Sequence, residues 1–458
     1  MLPDEVLLVI FYFCLDGDIP VEERQDAWQL LVHVCQRWRS VIFESPHYLE
    51  LELVCTARTP ARDLLDVWPA FPLIISCISP EKVDNIIAVL EHTDRVSLIN
   101  FTDIRSSDWE ILLAAMQQPF PLLSFLRLWP TDEMPVVPDS FLGGSASRMR
   151  TIFLDHVPFP GLPKLLLSTT RLHTLFLLNI PHSGYFSPEA MFTALSTLTS
   201  LELLEIEFLS PRSFPDSASR RPLPLTRSVI PVLTYFSFKG VSEYLEELVA
   251  RIDTPQLNRL FITFLNDVVF DTPQLIHFIN RTPKSRALEK AHITFQDYAA
   301  SLIFSSQTSG YWELCVSILG KRLDWQVSSL RQVCTSCLPP LSMLEDLYIY
   351  KPPRWRLDWK GRTENRLWLE LLGSFTAVKN LYLSKEFASH IAPALQELIQ
   401  GRPMEVLPTL QCIFLEGLES SGPAQEGIGQ FAAARQATGH PIAISGWINS
   451  EQDKFEGG

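Results

Sequence analysis

The spacing in this chain best suited to metal or redox chemistry is Cys334-Thr335-Ser336-Cys337, since two thiolates so placed can share a zinc ion or close a disulfide. Zinc needs two further ligands at comparable spacing, and none occurs nearby, so the pair reads as buried or incidental thiols. The eight cysteines, at 14, 35, 55, 77, 315, 334, 337 and 412, fall mostly in apolar stretches, where a free thiol behaves as a small hydrophobe. The ten histidines are scattered without the i, i+4 pairing of a zinc helix. No glycine-rich phosphate loop, Gly-x-Ser-x-Gly elbow or His-Glu-x-x-His helix occurs. The expectation is a chain with no catalytic residues, no metal site and no cofactor, hence not an enzyme.

The residues able to do interaction chemistry are aromatic and aliphatic. The 458 residues include 28 Phe, 11 Trp and 10 Tyr, with 47% hydrophobic and 20% charged overall, the composition of a folded chain. Such a length exceeds one ordinary core and implies either two folded parts or a repeat array. A formal net charge of -14 argues against nucleic acid and against an anionic membrane surface as partners. No apolar run approaches the roughly eighteen residues of a spanning helix, and Asp4 and Glu5 stand where a signal peptide would be basic. A soluble protein of the reducing cytoplasm or nucleus is expected.

Two kinds of element position these residues. At the N-terminus, Val6, Leu7, Ile10, Phe11 and Phe13 fall near helical spacing behind Pro3, a good first-turn residue. The stretch 16 to 23, rich in Asp, Glu, Gly and Pro, reads as an exposed loop, and a second helix is expected from about Asp26 to Phe43. From Tyr48 onward a unit recurs: a short strand of the form apolar-x-x-apolar-x-apolar, a turn, and an amphipathic helix. Instances are Leu123-Leu126-Leu128, Met149-Ile152-Leu154, Leu172-Leu175-Leu177, Leu201-Leu204-Ile206, Leu233-Phe236-Phe238, Leu257-Leu260-Ile262, Leu344-Leu347-Ile349, Val378-Leu381-Leu383 and Leu410-Ile413-Leu415. Helices are expected at 80 to 92, 107 to 118, 187 to 199, 241 to 252, 364 to 376 and 386 to 400, the third opening on the cap Ser187-Pro188-Glu189. The pattern fails around 296 to 340 and 209 to 231, read as irregular repeats with an inserted loop.

A spacing of mostly roughly 23 to 34 residues resembles the long, irregular end of leucine-rich repeats, although the usual Asn appears only occasionally, as at Asn179. Stacked units of this kind form a curved solenoid of parallel strands. The spacer residues of each strand then point away from the core and line a concave face. They are Arg127 and Trp129, Phe153 and Asp155, Phe176 and Leu178, Glu205 and Glu207, Ser237 and Lys239, Phe261 and Thr263, Tyr348 and Tyr350, Tyr382, and Phe414 and Glu416. Aromatic residues recur there, as on protein-binding surfaces.

The segment Leu2-Pro3-Asp4-Glu5-Val6-Leu7 through Ile10-Phe11, with Val34-Cys35-Gln36-Arg37-Trp38-Arg39-Ser40-Val41, closely resembles an F-box. With repeats directly after it, the chain is similar to the large F-box families of mushroom-forming fungi. It departs from them in having Cys14 where Leu is usual and in the length of its acidic stretch 16 to 26. The resemblance implies an α/β chain with an all-helical F-box over 1 to 47 and an irregular leucine-rich-repeat solenoid over 48 to 458. It also implies a substrate receptor of an SCF-type cullin-RING ubiquitin ligase, docked on a Skp-type adaptor and capturing a protein substrate. Leu2, Pro3, Glu5, Leu7, Ile10 and Phe11 would face the adaptor from the first helix, and Val34, Cys35 and Trp38 from the later one. Substrate would meet Arg127, Trp129, Phe153, Asp155, Phe176, Glu205, Lys239, Phe261, Tyr348, Tyr350, Tyr382 and Phe414. The alternative is a stand-alone repeat scaffold whose N-terminal helices only cap the array.

Overall fold

The computed structural model describes residues 2–15, 21–56, 60–78, 83–210, 227–265, 272–282, 289–306, 312–336, 338, 341, 343–352, 363–399, 404–417 and 422–448. They form two compact units, Met1–Leu203 and Leu204–Gly458.

The first unit opens with helices α1 (Asp4–Leu15), α2 (Val21–Val32) and α3 (Gln36–Glu44). The single helix expected over 26 to 43 is therefore two. The chain turns at His33 and Val34, and Cys35 adopts an extended backbone (φ -162°) from which its thiol accepts the Trp38 N–H at 3.5 Å as N-cap of α3. No Gly or Pro marks this break, and the apolar residues run on through it. Likewise 21 to 23, read as loop, is the start of α2, while 16 to 20 lies outside the described residues.

Strands β1 (Leu53–Cys55), β2 (Leu73–Ile78), β3 (Val96–Ile104), β4 (Phe125–Pro130), β5 (Thr151–Asp155) and β6 (Thr174–Ile180) lie side by side in chain order and are parallel. Their connections carry α4 (Ala61–Val67), α5 (Asp84–Leu90), α6 (Ser106–Ala115) and α7 (Leu162–Leu166), and α8 (Pro188–Leu195) comes after β6. The strand motif explains the register. Leu126, Ile152 and Leu175 pair in one row and Leu128, Leu154 and Leu177 in the next, so each repeat closes the core left open by its neighbour. Ser187 caps α8 as expected, accepting the Ala190 N–H at 3.1 Å with Pro188 in the first turn. At strand ends Asp103, His156 and Asn179 take left-handed backbone with φ of 55°, 57° and 49°, a conformation that short polar side chains tolerate.

The second unit contains β7 (Leu203–Phe208), β8 (Ser228–Val229), β9 (Tyr235–Gly240), α9 (Ser242–Val249), β10 (Ile252–Asp253), β11 (Arg259–Phe264), α10 (Pro273–Arg281), β12 (Lys290–Phe295), β13 (Ala299–Ser306), β14 (Trp312–Leu319) and α11 (Leu323–Ser336). It ends with β15 (Asp346–Tyr350), α12 (Asn365–Leu372), β16 (Asn380–Leu383), α13 (Lys385–Glu397), β17 (Cys412–Glu416), α14 (Pro423–Ala437) and β18 (Ala443–Trp447). The main strands run β7-β9-β11-β14-β13-β12-β15-β16-β17-β18, while β8 and β10 pair apart from them. Helix α13 packs over β15, β16 and β17, and α11 over β13 and β14.

The expectation of parallel strands throughout fails here. β13 is antiparallel to both β12 and β14, and the chain fills these three positions in reverse order. Because one reversed strand stands between them, β12 and β14 keep the direction of the array and pair in parallel with β15 and β11. The residues responsible alternate strictly: Ala291, Ile293 and Phe295, then Ala300, Leu302 and Phe304, then Leu314, Val316 and Ile318 are all buried on one face. In the other irregular stretch, 211 to 226 lies outside the described residues, and the short strand β8 stands just beyond it.

Candidate docking and interaction surfaces

Helix α1 has two apolar faces, because apolar residues occupy both sides of the turn at about 100° per residue. Leu7, Phe11 and Leu15 form the inner face and are buried. Phe11 meets Trp38 edge to face at 4.9 Å. Leu2, Val6, Val9, Ile10 and Phe13 form the outer face and are exposed, Phe13 to 71%. The assignment of Leu7 and Phe11 to an adaptor-facing surface is therefore corrected, since both are buried and hold α1 against its neighbours; Trp38 is half-buried on Phe11. Leu2, Pro3, Glu5, Ile10, Val34 and Cys35 lie at the surface. Val6, Val9 and Phe13 belong with them, and their i, i+3, i+7 spacing is visible in the sequence. Arg37 of α3 donates from Nε to Asp4 Oδ1 at 3.0 Å and from Nη2 to the Leu2 carbonyl, which positions the N-terminal turn.

The opposite side of this helical group rests on the first repeat. Trp28 of α2 meets Trp68 at 5.0 Å and Phe71 at 5.6 Å, and Phe43 of α3 meets the same two rings. The outer face of α1 remains uncovered among the described residues.

On the sheet face that carries the spacer residues, β4 and β5 bring Arg127, Trp129 and Phe153 together, with Phe176 in register beside Phe153. The Arg127 guanidinium carbon lies 4.6 Å from the Phe153 ring centre and 5.3 Å from that of Trp129. Phe153 and Phe176 meet edge to face at 5.9 Å. Asp155 is no free surface carboxylate: it is 8% exposed and accepts from Asn179 Nδ2 at 2.9 Å, with His156 Nδ1 at 2.7 Å.

The second unit carries an aromatic ladder on the equivalent face. His292, Tyr348, Tyr382 and Phe414 share one register row and stack at centroid distances of 4.5, 4.1 and 4.4 Å, their planes within 10°. Trp447 of β18 reaches back over Tyr348 and Tyr382 at 5.9 and 5.7 Å. As a result Tyr348 is 7% exposed and Tyr350, edge-on to His292, is 5% exposed, which corrects their placement at open surface. Tyr382 and Phe414 remain half-buried. Burial, aided by the nearby Lys290 charge, pulls His292 down to about 4, so it is neutral at physiological pH.

On β7 and β9, Lys239 pairs with Glu207 at 3.3 Å, and Phe261 of β11 packs on Tyr235 at 5.5 Å. Burial, and after it repulsion from Glu207, pushes Glu205 up to about 7. The folded chain thus holds this proton more tightly than the unfolded chain. The resulting stability is complete below the ordinary carboxylate range and is lost as pH rises through about 7. Glu205→Gln is expected to raise the melting temperature above wild type at pH 8 and to match it at pH 4.5. Equal melting temperatures at both values would show the carboxyl to be unstrained.

Among the described residues no cluster of His, Cys, Asp or Glu is arranged to hold a metal, and Cys334 is buried while Cys337 lies outside them. No helix among them is long and apolar enough to cross a membrane. No family model matches this sequence, and no curated protein does. Among solved structures, the leucine-rich repeat-containing protein LegL7 from Legionella pneumophila aligns over 84% of this chain and 97% of its own, with 13% identity and a TM-score of 0.29. So distant a likeness bears on neither partner nor activity.

Proposed function

We propose that this chain is the substrate-recognition subunit of an SCF-type cullin-RING ubiquitin ligase, with α1 docking on a Skp-type adaptor and the open sheet face binding the target protein. The observation that carries this reading is the uncovered outer face of α1, where Leu2, Val6, Val9, Ile10 and Phe13 project from a helical group already anchored on its other side. A helix needed only as a cap would spend its apolar residues on the array; this one keeps a second stripe for which the chain provides no cover among the described residues. The receptor itself performs no catalysis and brings two proteins together.

The test is co-purification of the full chain with the adaptor, comparing wild type with Val6→Asp combined with Ile10→Asp. Both side chains are exposed, so the fold should tolerate the change, and adaptor binding should fall by at least about thirtyfold, as expected when two central anchors are replaced by charge. Wild-type binding by the double variant would remove α1 as the docking element.

The second reading is a stand-alone scaffold, favoured by the seating of Trp28 and Phe43 on Trp68 and Phe71, which is what a terminal cap does. An intact, folded chain that fails to bind the adaptor would leave this reading standing.

A further inference from the structure

We propose that Arg127, lying over the rings of Trp129 and Phe153, receives a carboxylate side chain carried by an apolar segment of the partner protein. The inference rests on the reading of the sheet face as a binding surface and names the chemistry of what binds there. Arg127 is the only basic residue within β2 to β6. Its guanidinium lies against two rings, at 4.6 and 5.3 Å. Contact with two rings restricts the guanidinium without occupying its N–H donors. No acceptor for those donors occurs among the described residues, and Nε is buried without one. Asn100, opposite Arg127 in register on β3, also has a buried Oδ1 without a donor.

The neighbouring carboxylate, Asp155, is already engaged by Asn179 and His156, so it does not neutralise the cation. A cation against aromatic rings, with no counter-ion among the described residues, is complementary to one negative charge set among apolar groups. The surroundings also define the rest of the ligand. Trp129 is 41% exposed, and Leu98, Phe153, Phe176 and Leu178 are half-buried on β3, β5 and β6, giving rings and methyl groups for an apolar side chain flanking the acid. A single guanidinium fits a carboxylate of single charge; a phosphate group normally draws several cations, and none other stands on these strands.

The probe is a displayed library of random twelve-residue peptides selected on the purified full chain, with affinities of synthesised winners measured by fluorescence anisotropy. Selected peptides should share an Asp or Glu beside Phe, Leu or Trp. Replacing that acid by its amide should weaken binding by about tenfold or more, and Arg127→Met should do the same. Arg127→Lys should fail to restore it, because an ammonium neither stacks as a plane nor offers a fork. Trp129→Leu, at a half-exposed site, tests the ring contact without risk to the core and should weaken the same peptides severalfold. Peptides lacking an acid, binding indifferent to Arg127→Met, an absence of any binders, or stronger binding when phosphoserine replaces the acid would each overturn the assignment. Adaptor co-purification does not involve this face, so failure here and failure of the receptor reading are separately visible.

Discussion

Trp28→Ala is expected to destabilise the first unit by about 3–5 kcal/mol, the usual cost of deleting a fully buried large aromatic side chain. Trp28 is 1% exposed and sits edge to face against both Trp68 and Phe71, so its indole is the joint between α2 and the first repeat. Its removal leaves a cavity beside these two rings, with Phe43 and His33 as the remaining ring contacts of the helical group on them. Chemical denaturation monitored by tryptophan fluorescence measures the loss. Leu30→Ala makes the control on the same helix: that residue is 70% exposed, and its truncation should change stability by less than about 0.5 kcal/mol. A Trp28 variant as stable as the Leu30 variant would mean that α2 is not held by this contact.

Arg435→Met should cost the second unit about 3–5 kcal/mol, because it removes the charged donor shared by three carbonyls, of which that of Leu407 keeps a second donor in the Leu410 N–H. Arg435 lies on α14, fully buried, and its Nη2 reaches the Leu407, Pro408 and Leu410 carbonyls at 3.2, 3.2 and 3.5 Å. These carbonyls belong to the turn that leads into β17, so the guanidinium fastens α14 to that turn. Burial holds its pKa below the ordinary arginine value. Arg435→Lys should recover little, since an ammonium on a shorter stem cannot span the same acceptors. Thermal unfolding monitored by circular dichroism checks both variants, and a melting temperature for Arg435→Met within about a degree of wild type would refute the fastening role.

The repeat strands were legible in the sequence because their chemistry is local. In Leu172-Leu175-Leu177 and Leu410-Ile413-Leu415 the apolar spacing alone states which side chains point to the core, and both strands stand where that spacing puts them, at β6 and β17. The same spacing identified Arg127, Trp129, Phe153 and Phe176 as residues of the opposite face. It did not reveal that His292 joins Tyr348, Tyr382 and Phe414 in one stack, since His292 belongs to a strand outside the repeat motif. Nor did it reveal Trp447, which covers that stack from β18.

Apolar periodicity determined by itself that α1 is a helix and that it carries more apolar surface than one contact can use. Which of its two faces is inward depended on Trp38, more than twenty residues away, and on where the turn at Cys35 sends α3. The order of β12, β13 and β14 depended likewise on pairing partners distant in sequence. Alternation makes each of them a strand, but nothing in the alternation says that β14 rather than β12 pairs with β11. Spacing along a chain encodes which side of an element is apolar; what that side meets is settled by packing between segments, where the whole core is closed at once.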